Sequence, residues 1–174
     1  WAQIEPSEGV YDFKWLDKAL ELAAKHNLKV IMCTPSATPP VWLVRKYPEV
    51  LVEMPNGQTA QHGTREQYSW SSPKYRELTT KVVEAMAKHY GNDKRIWGWQ
   101  IDNEPSHYSA LDYSPAAQAS FKVWLKKKYQ TIEALNKAWG TPFWSGIYSD
   151  FSQIEIPNAG RQYSGNASPT SFVD

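Results

Sequence analysis

The stretch IWGWQIDNEP, residues 96–105, indicates the fold class of this chain. Its first part, residues 96–101, is almost continuously apolar, which is typical of a parallel strand covered on both faces. The chain then turns polar at Asp102, Asn103 and Glu104. Polar side chains directly after such a strand usually face water, so the end of this strand is where we expect a functional site.

A second strand is predicted over residues 29–34, and a rigid, proline-rich loop follows it at 35–40. The three-and-four spacing of apolar residues predicts four helices, over residues 12–26, 73–90, 114–129 and 131–139. Their starts lie at or next to Asp12, Ser72, Ser114 and Thr131. One or two further helical turns are predicted over residues 41–46. The alternation of helix and strand predicts an α/β fold with a parallel sheet and crossover helices. After residue 139 we expect extended loop with little regular structure.

The number of strands points to an incomplete sheet. Two parallel strands, near residues 29–34 and 96–101, do not close a barrel, and a complete (β/α)8 TIM barrel needs about 250 residues. The chain has 174 residues and begins without a methionine. We therefore expect residues 1–174 to be a fragment of one barrel domain, with the start of the barrel and its later strands missing.

Composition narrows the classes of partner. The chain has 19 basic and 18 acidic residues and no basic cluster, which argues against nucleic acid as a partner. Neither a membrane span nor a signal peptide is expected from the apolar pattern. Cys33 is the single cysteine, inside an apolar run, so we expect a buried, inert thiol and no internal disulfide, which fits a cytoplasmic location.

Aromatic residues are unusually frequent, with nine Trp and ten Tyr. Aromatic rings stack on flat apolar surfaces, including the C–H faces of sugars, although many of these rings are expected to fill the core. The long polar connection over residues 47–70 carries several of them together with Arg65. Loops of this length in compact domains are usually functional or disordered, and we favour function here.

Glu104 and Asn103 are the residue types that hydrolysis of a glycosidic bond requires. A carboxyl must protonate the leaving oxygen while neutral polar groups hold the hydroxyls of the sugar. Taken alone, an Asn-Glu-Pro triplet is a weak signal, and a turn or helix cap explains it equally well.

The sequence resembles glycoside hydrolase family 42, the β-galactosidases of a large clan of retaining enzymes built on (β/α)8 barrels. The resemblance runs in order through WAQIEPSEGVYDFKWLD, TPSATPPVWL, HGTREQYSWSSPKYR, WGWQIDNEP and ALNKAWGTPFWS. It implies that Glu104 is the acid/base catalyst and that Asn103 binds the sugar. It also implies that Arg65 and Trp144 line the galactose subsite. Without the resemblance, Arg65 could equally be a solvated charge in a loop, and Trp144 a ring of the core.

A retaining glycosidase needs a second carboxylate, as the nucleophile. The family carries it on a later strand, which implies that it lies outside this chain and that the fragment alone is inactive. Glu5 and Glu8 fit a loop and its packing better than a catalytic role, and the E-x-x-H pair of Glu104 and His107 is a poor metal site because proline follows Glu104. Some family members bind zinc through cysteines, but Ser69 stands at the matching position. We predict no metal and no cofactor.

The function implied by the resemblance is hydrolysis of terminal β-D-galactosyl residues from galactoside oligosaccharides. Two alternatives remain open at this point: a related clan hydrolase of the endo-glucanase or mannanase type, and a non-catalytic sugar-binding fragment. Members of the family are commonly homotrimers, which the resemblance extends to the full-length protein.

Overall fold

A computed structural model describes residues 1–63, 65–105 and 111–157 of the chain. Its regular elements are α1 (Lys14–Lys25), β1 (Val30–Cys33), α2 (Val41–Lys46), α3 (Pro73–Tyr90), β2 (Ile96–Gln100), α4 (Pro115–Tyr129) and α5 (Ile132–Trp139). Single-turn 3-10 helices lie at Pro48–Val50, Phe143–Ser145 and Phe151–Gln153. The described part after α5 otherwise has no regular structure, as the sequence predicts.

The two strands form one parallel sheet, which confirms the α/β class. Val30 pairs with Ile96 and Cys33 with Gln100, with one irregularity after Val30. Because the strands run in the same direction, their carboxyl ends lie at the same edge of the sheet. Helices α2 and α3 lie between the strands in the chain, as a crossover connection requires.

The described residues form two compact units. The first contains Trp1–Leu51 and the described part of Ala60–Ala110. Its core packs one side of α3 against α1, α2 and the sheet; the fully buried side chains include Leu20, Leu43, Tyr75, Leu78, Val82 and Met86. This spacing along α3 matches the amphipathic pattern seen in the sequence.

The second unit contains Val52–Thr59 and the described part of Leu111–Asp174. Its core is formed by Leu125 of α4, Leu135 and Trp139 of α5, and Ile154. The segment 52–59 joins this unit through the backbone of Glu53, which accepts a hydrogen bond from the Tyr113 N–H at 2.9 Å.

Side-chain caps set the starts of α3, α4 and α5. Ser72, Ser114 and Thr131 each accept a hydrogen bond from the backbone N–H three residues later, and for Thr131 the sequence predicts this cap. Gly140 ends α5 with φ +64°, a conformation that glycine adopts without steric cost. Asp12 differs from the prediction by one position, because Phe13 occupies the cap of α1 while the Asp12 carboxylate accepts from the Lys14 N–H at 3.0 Å.

Two expectations about burial are wrong. The strands are not covered on both faces: Ile31 and Trp97 are 69% and 67% exposed, while Met32 is buried. Successive side chains of a strand point to opposite faces, and among the described residues the helices cover only one of them. Cys33 is likewise exposed at the end of β1, although partial burial of its sulfur, together with the nearby Asp102, raises the pKa of its thiol.

Within the described ranges, no helix has the length and apolar character needed to cross a membrane.

The α3 core generates a stability prediction. Leu78→Ala should lower the free energy of unfolding by about 2–5 kcal/mol, because it removes a fully buried side chain and leaves a cavity. Leu28→Ala is the matched control, since Leu28 is 63% exposed, and it should change stability by less than about 0.5 kcal/mol. Urea denaturation followed by circular dichroism measures both; similar losses in the two variants would contradict the assigned core.

Candidate active site

Three of the four predicted site residues lie in contact at the end of β2. The Glu104 carboxylate accepts a hydrogen bond from Arg65 Nη2 at 2.6 Å and another from Asn103 Nδ2 at 3.3 Å. The Asn103 side-chain oxygen in turn accepts from Gln100 Nε2 at 3.1 Å. A neutral amide and a cation therefore converge on one carboxylate oxygen of Glu104, although Arg65 lies 39 positions away in the sequence.

This cluster is open to solvent. The side chains of Glu104 and Arg65 are 53% and 35% exposed. Exposed ion pairs contribute only about 0–1 kcal/mol to stability, so the folded state does not depend on this contact. A carboxylate that is held in place yet reachable from water can exchange a proton with a bound molecule.

The loop that carries Arg65 is anchored directly after it. The Glu66 N–H donates to the carbonyl of Ala37 at 2.9 Å, which ties the loop to the proline-rich segment after β1. Further along, the Ser69 N–H donates to the Val50 carbonyl at 2.7 Å. The part of the long polar connection that follows Arg65 is thus hydrogen-bonded to two neighbouring segments.

Asp102 is the residue of this site that sequence reasoning overlooked. It is buried, and its carboxylate accepts hydrogen bonds from Ser36 Oγ and Tyr68 OH, each at 3.1 Å. Its backbone N–H donates to Thr34 Oγ1 at 2.7 Å. An acidic residue at the end of an apolar strand was the available signal, but no pattern in the sequence indicates partners 34 to 68 residues away.

Tyr68 is held in its donor form by its surroundings. Burial, reinforced by the nearby Asp102 carboxylate, raises the pKa of Tyr68 above its ordinary value. Its ring stacks on Tyr75 with centroids 4.1 Å apart. Tyr68 therefore remains a protonated hydroxyl that donates to Asp102 throughout the physiological pH range.

An open cleft of about 920 Å³ lies beside the cluster. Its polar lining includes Thr34, His62, Arg65 and Asn103, and its apolar lining includes residues of β1 and the prolines that follow it. A cleft with a few convergent polar groups in an apolar wall is the usual form of a small-molecule site.

The other candidate residues have different positions. Glu5 accepts from Trp1 Nε1 and the Gly9 N–H, at 2.5 and 2.8 Å, and Glu8 pairs with Lys46, so both act within the loop and its packing. The backbone of Trp144 lies in the 3-10 turn Phe143–Ser145, but its side chain lies outside the described part of the chain, as does His107. The role of Trp144 stays a prediction.

No group of three or more His, Cys, Asp or Glu side chains suited to a metal ion occurs among residues 1–63, 65–105 and 111–157.

The family model that matches this sequence is described as Beta-galactosidase, glycoside hydrolase family 42, and it covers residues 1–172. Among curated relatives, the β-galactosidase BgaA of a Thermus species is 46% identical over 159 residues. That alignment includes 91% of this chain and 25% of the relative.

Solved structures are similar over nearly the whole chain. A crystal structure of the β-galactosidase from the psychrophilic Marinomonas ef1 has a TM-score of 0.92 and 42% identity, with 98% of this chain and 26% of that chain covered. The β-galactosidase of the Antarctic haloarchaeon Halorubrum lacusprofundi has a TM-score of 0.92 and 37% identity, and the alignment covers 99% of this chain and 26% of that chain. The chain spans about a quarter of the length of these relatives.

The Asp102 cluster predicts an unequal response to the loss of two tyrosine hydroxyls. Tyr68→Phe should lower the free energy of unfolding by about 1–3 kcal/mol, because a buried carboxylate loses one of its donors. Tyr47→Phe should cost less than about 1 kcal/mol, since its hydroxyl donates to Glu8 near the surface, at 3.1 Å. Urea denaturation of both variants is the measurement, and equal effects would argue against a structural bond to Asp102.

Proposed function

Since the chain belongs to glycoside hydrolase family 42, the β-galactosidases, we propose that it is a segment of a retaining enzyme that removes terminal β-D-galactosyl residues from galactoside oligosaccharides. The observation that carries the proposal is the cluster at the end of β2, where Arg65 and Asn103 both donate to the Glu104 carboxylate. Glu104 is the general acid/base in this proposal, and Arg65, Asn103 and Trp144 bind the sugar.

The segment forms part of one catalytic (β/α)8 barrel domain. Two observations support this: the relatives are about four times longer, and the strand residues Ile31 and Trp97 are exposed although their side chains are large and apolar. In a closed barrel the interior is filled by such side chains from neighbouring strands. The remaining strands supply that cover in the complete enzyme.

Glu104 acts twice in the reaction. It first protonates the oxygen of the leaving group while a nucleophilic carboxylate attacks the anomeric carbon, and it then takes a proton from the water that releases galactose. The nucleophile must lie about 5–5.5 Å from Glu104 in a retaining enzyme. Asp102 is unsuited to that role because its carboxylate is buried and already accepts from Ser36 and Tyr68. Because the family carries its nucleophile on a later strand, the proposal assigns this role to a Glu outside this chain.

Arg65 and Asn103 have complementary tasks. Arg65 donates to Glu104 and lines the cleft, where a guanidinium with its five N–H donors is suited to bind the hydroxyls of a sugar. Asn103 supplies a neutral donor whose orientation is fixed by Gln100. Neutral and cationic donors beside the acid hold the sugar without competing for the proton.

Two further properties are proposed, the first from the family and the second from the single cysteine of the chain. The complete enzyme assembles as a homotrimer and acts in the cytoplasm. Analytical ultracentrifugation and fractionation of the source cells test these points, and a monomeric mass or an extracellular enzyme would refute the respective one.

Substrate choice is the most direct test of the proposed function. The complete enzyme should hydrolyse an aryl β-galactoside at least tenfold faster than the aryl β-glucoside, and β-glucan or mannan slowly or not at all. The 174-residue chain alone should hydrolyse none of them, because it lacks the nucleophile. Colorimetric release of the aryl alcohol measures each rate; preference for a polysaccharide would favour an endo-acting hydrolase, and turnover by the chain alone would refute the missing nucleophile.

The role of Glu104 is tested by the leaving group. In the complete enzyme, Glu104→Gln should lower kcat/KM for a phenyl galactoside by about 10²–10⁴-fold, because the leaving oxygen needs a proton. For a dinitrophenyl galactoside, whose leaving group departs without one, kcat/KM should fall less than about tenfold. Glu21→Gln is the control, since Glu21 is exposed on α1 beside Lys18, and it should leave both values unchanged. Equal losses on both substrates would count against an acid/base role.

A further inference from the structure

Two acidic residues at the end of β2, two positions apart, lie in opposite environments. Asp102 is 5% exposed, whereas the Glu104 side chain is 53% exposed. The short turn between them therefore directs one carboxylate into the interior and the next one outward toward Arg65. The question is what fixes that turn.

The backbone of the turn is in an unfavourable conformation. Asp102 has φ +57° and Glu104 has φ +46°, in the left-handed region that side-chain-bearing residues seldom adopt. Such conformations persist where the surrounding structure over-determines them. The contacts of Glu104 are exposed, so the restraint has to come from the buried residue.

Asp102 supplies restraints from both its backbone and its side chain. Its N–H donates to Thr34 Oγ1 at 2.7 Å, and its carboxylate accepts from Ser36 Oγ and Tyr68 OH at 3.1 Å. The backbone carbonyl of Asp102 accepts a further bond from Gln100 Nε2 at 3.1 Å. These contacts fix the position of the residue from the end of β1, from β2 and from the loop that carries Arg65.

The partners of Asp102 are themselves immobilised by the core. Tyr75 of α3 is fully buried, stacks on Tyr68 and donates its hydroxyl to the Ser36 carbonyl at 2.6 Å. Tyr68 also forms a backbone bridge with Leu51. Asp102 is therefore attached to the buried core of this unit.

We propose that Asp102 is a positioning residue for Glu104, whose buried hydrogen bonds to Ser36 and Tyr68 fix the left-handed turn and so aim the acid/base carboxylate at the leaving oxygen. The inference rests on the proposed role of Glu104 as the acid/base. Asp102 itself does not touch the substrate, and it acts by keeping Glu104 at the reacting bond.

The test is Asp102→Asn in the complete enzyme. This variant keeps the size of the side chain but replaces one carboxylate oxygen with an NH2 group. That group cannot accept the hydrogen bond that Ser36 or Tyr68 donates to the oxygen. A misplaced acid slows reactions that need proton donation, so kcat/KM for a phenyl galactoside should fall about 10- to 100-fold. For a dinitrophenyl galactoside it should stay within about threefold, because that leaving group needs no proton. A purely structural role would lower both values by the same factor, through a smaller fraction of folded enzyme.

Tyr68→Phe is the second variant, and it tests the positioning role of Asp102 if Asp102→Asn does not fold. It removes one donor to Asp102 and keeps the ring that stacks on Tyr75, so the same selective loss should appear, about three- to tenfold. Asp12→Asn is the matched control: Asp12 is exposed at the start of α1, and both values should remain unchanged.

The outcomes separate this inference from the proposed function. If the unmodified enzyme hydrolyses neither aryl galactoside, the proposed function fails, and the inference fails with it. If the unmodified enzyme is active and the folded variants lose both activities equally, or lose neither, the positioning role is overturned while the proposed function stands. A loss confined to the phenyl galactoside supports both.

Discussion

The parallel pairing of β1 with β2 continues past the strands into two hydrogen bonds that fix their carboxyl ends. The Thr34 N–H donates to the Gln100 carbonyl at 3.0 Å, and the Thr34 hydroxyl then accepts from the Asp102 N–H at 2.7 Å. A residue that follows one strand is thereby attached to a residue that follows the other. Asp102, Asn103 and Glu104 lie at this edge, and Arg65 and Tyr68 donate hydrogen bonds to two of them. This agrees with parallel sheets in general, whose sites gather at the carboxyl ends of the strands.

The same edge separates a structural carboxylate from an accessible one. Asp102 is surrounded by neutral hydroxyl donors and has little contact with water, whereas Glu104 meets a cation and an amide near solvent. Buried polar groups must be hydrogen-bonded, so the donors to the Asp102 carboxylate have to lie at hydrogen-bonding distance and angle. A carboxylate that water can reach does not need such fixed partners, so it is available to exchange protons. A rigid support beneath a reachable acid is the arrangement that precise proton transfer needs.

Local features of the sequence predicted much of the secondary structure. The helices α3, α4 and α5 begin at the serine or threonine caps that the sequence indicates, and Gly140 ends the last of them. The two strands and their parallel order follow from short apolar runs and the alternation with helices. Burial was harder to predict: Ile31, Trp97 and Cys33 are exposed, since whether an apolar residue is covered depends on which neighbours the chain brings to it.

The sequence by itself determined the residue types of the site and, through its ordered motifs, the family. Only the tertiary structure decided that Arg65 reaches Glu104 and that Asp102, rather than Asn103, turns into the interior with Ser36 and Tyr68 as its partners. The reason is physical. Caps, turns and amphipathic periods depend on residues a few positions apart, whereas a buried carboxylate is satisfied by donors tens of residues away that meet it only when the strands pair and the loop closes over them.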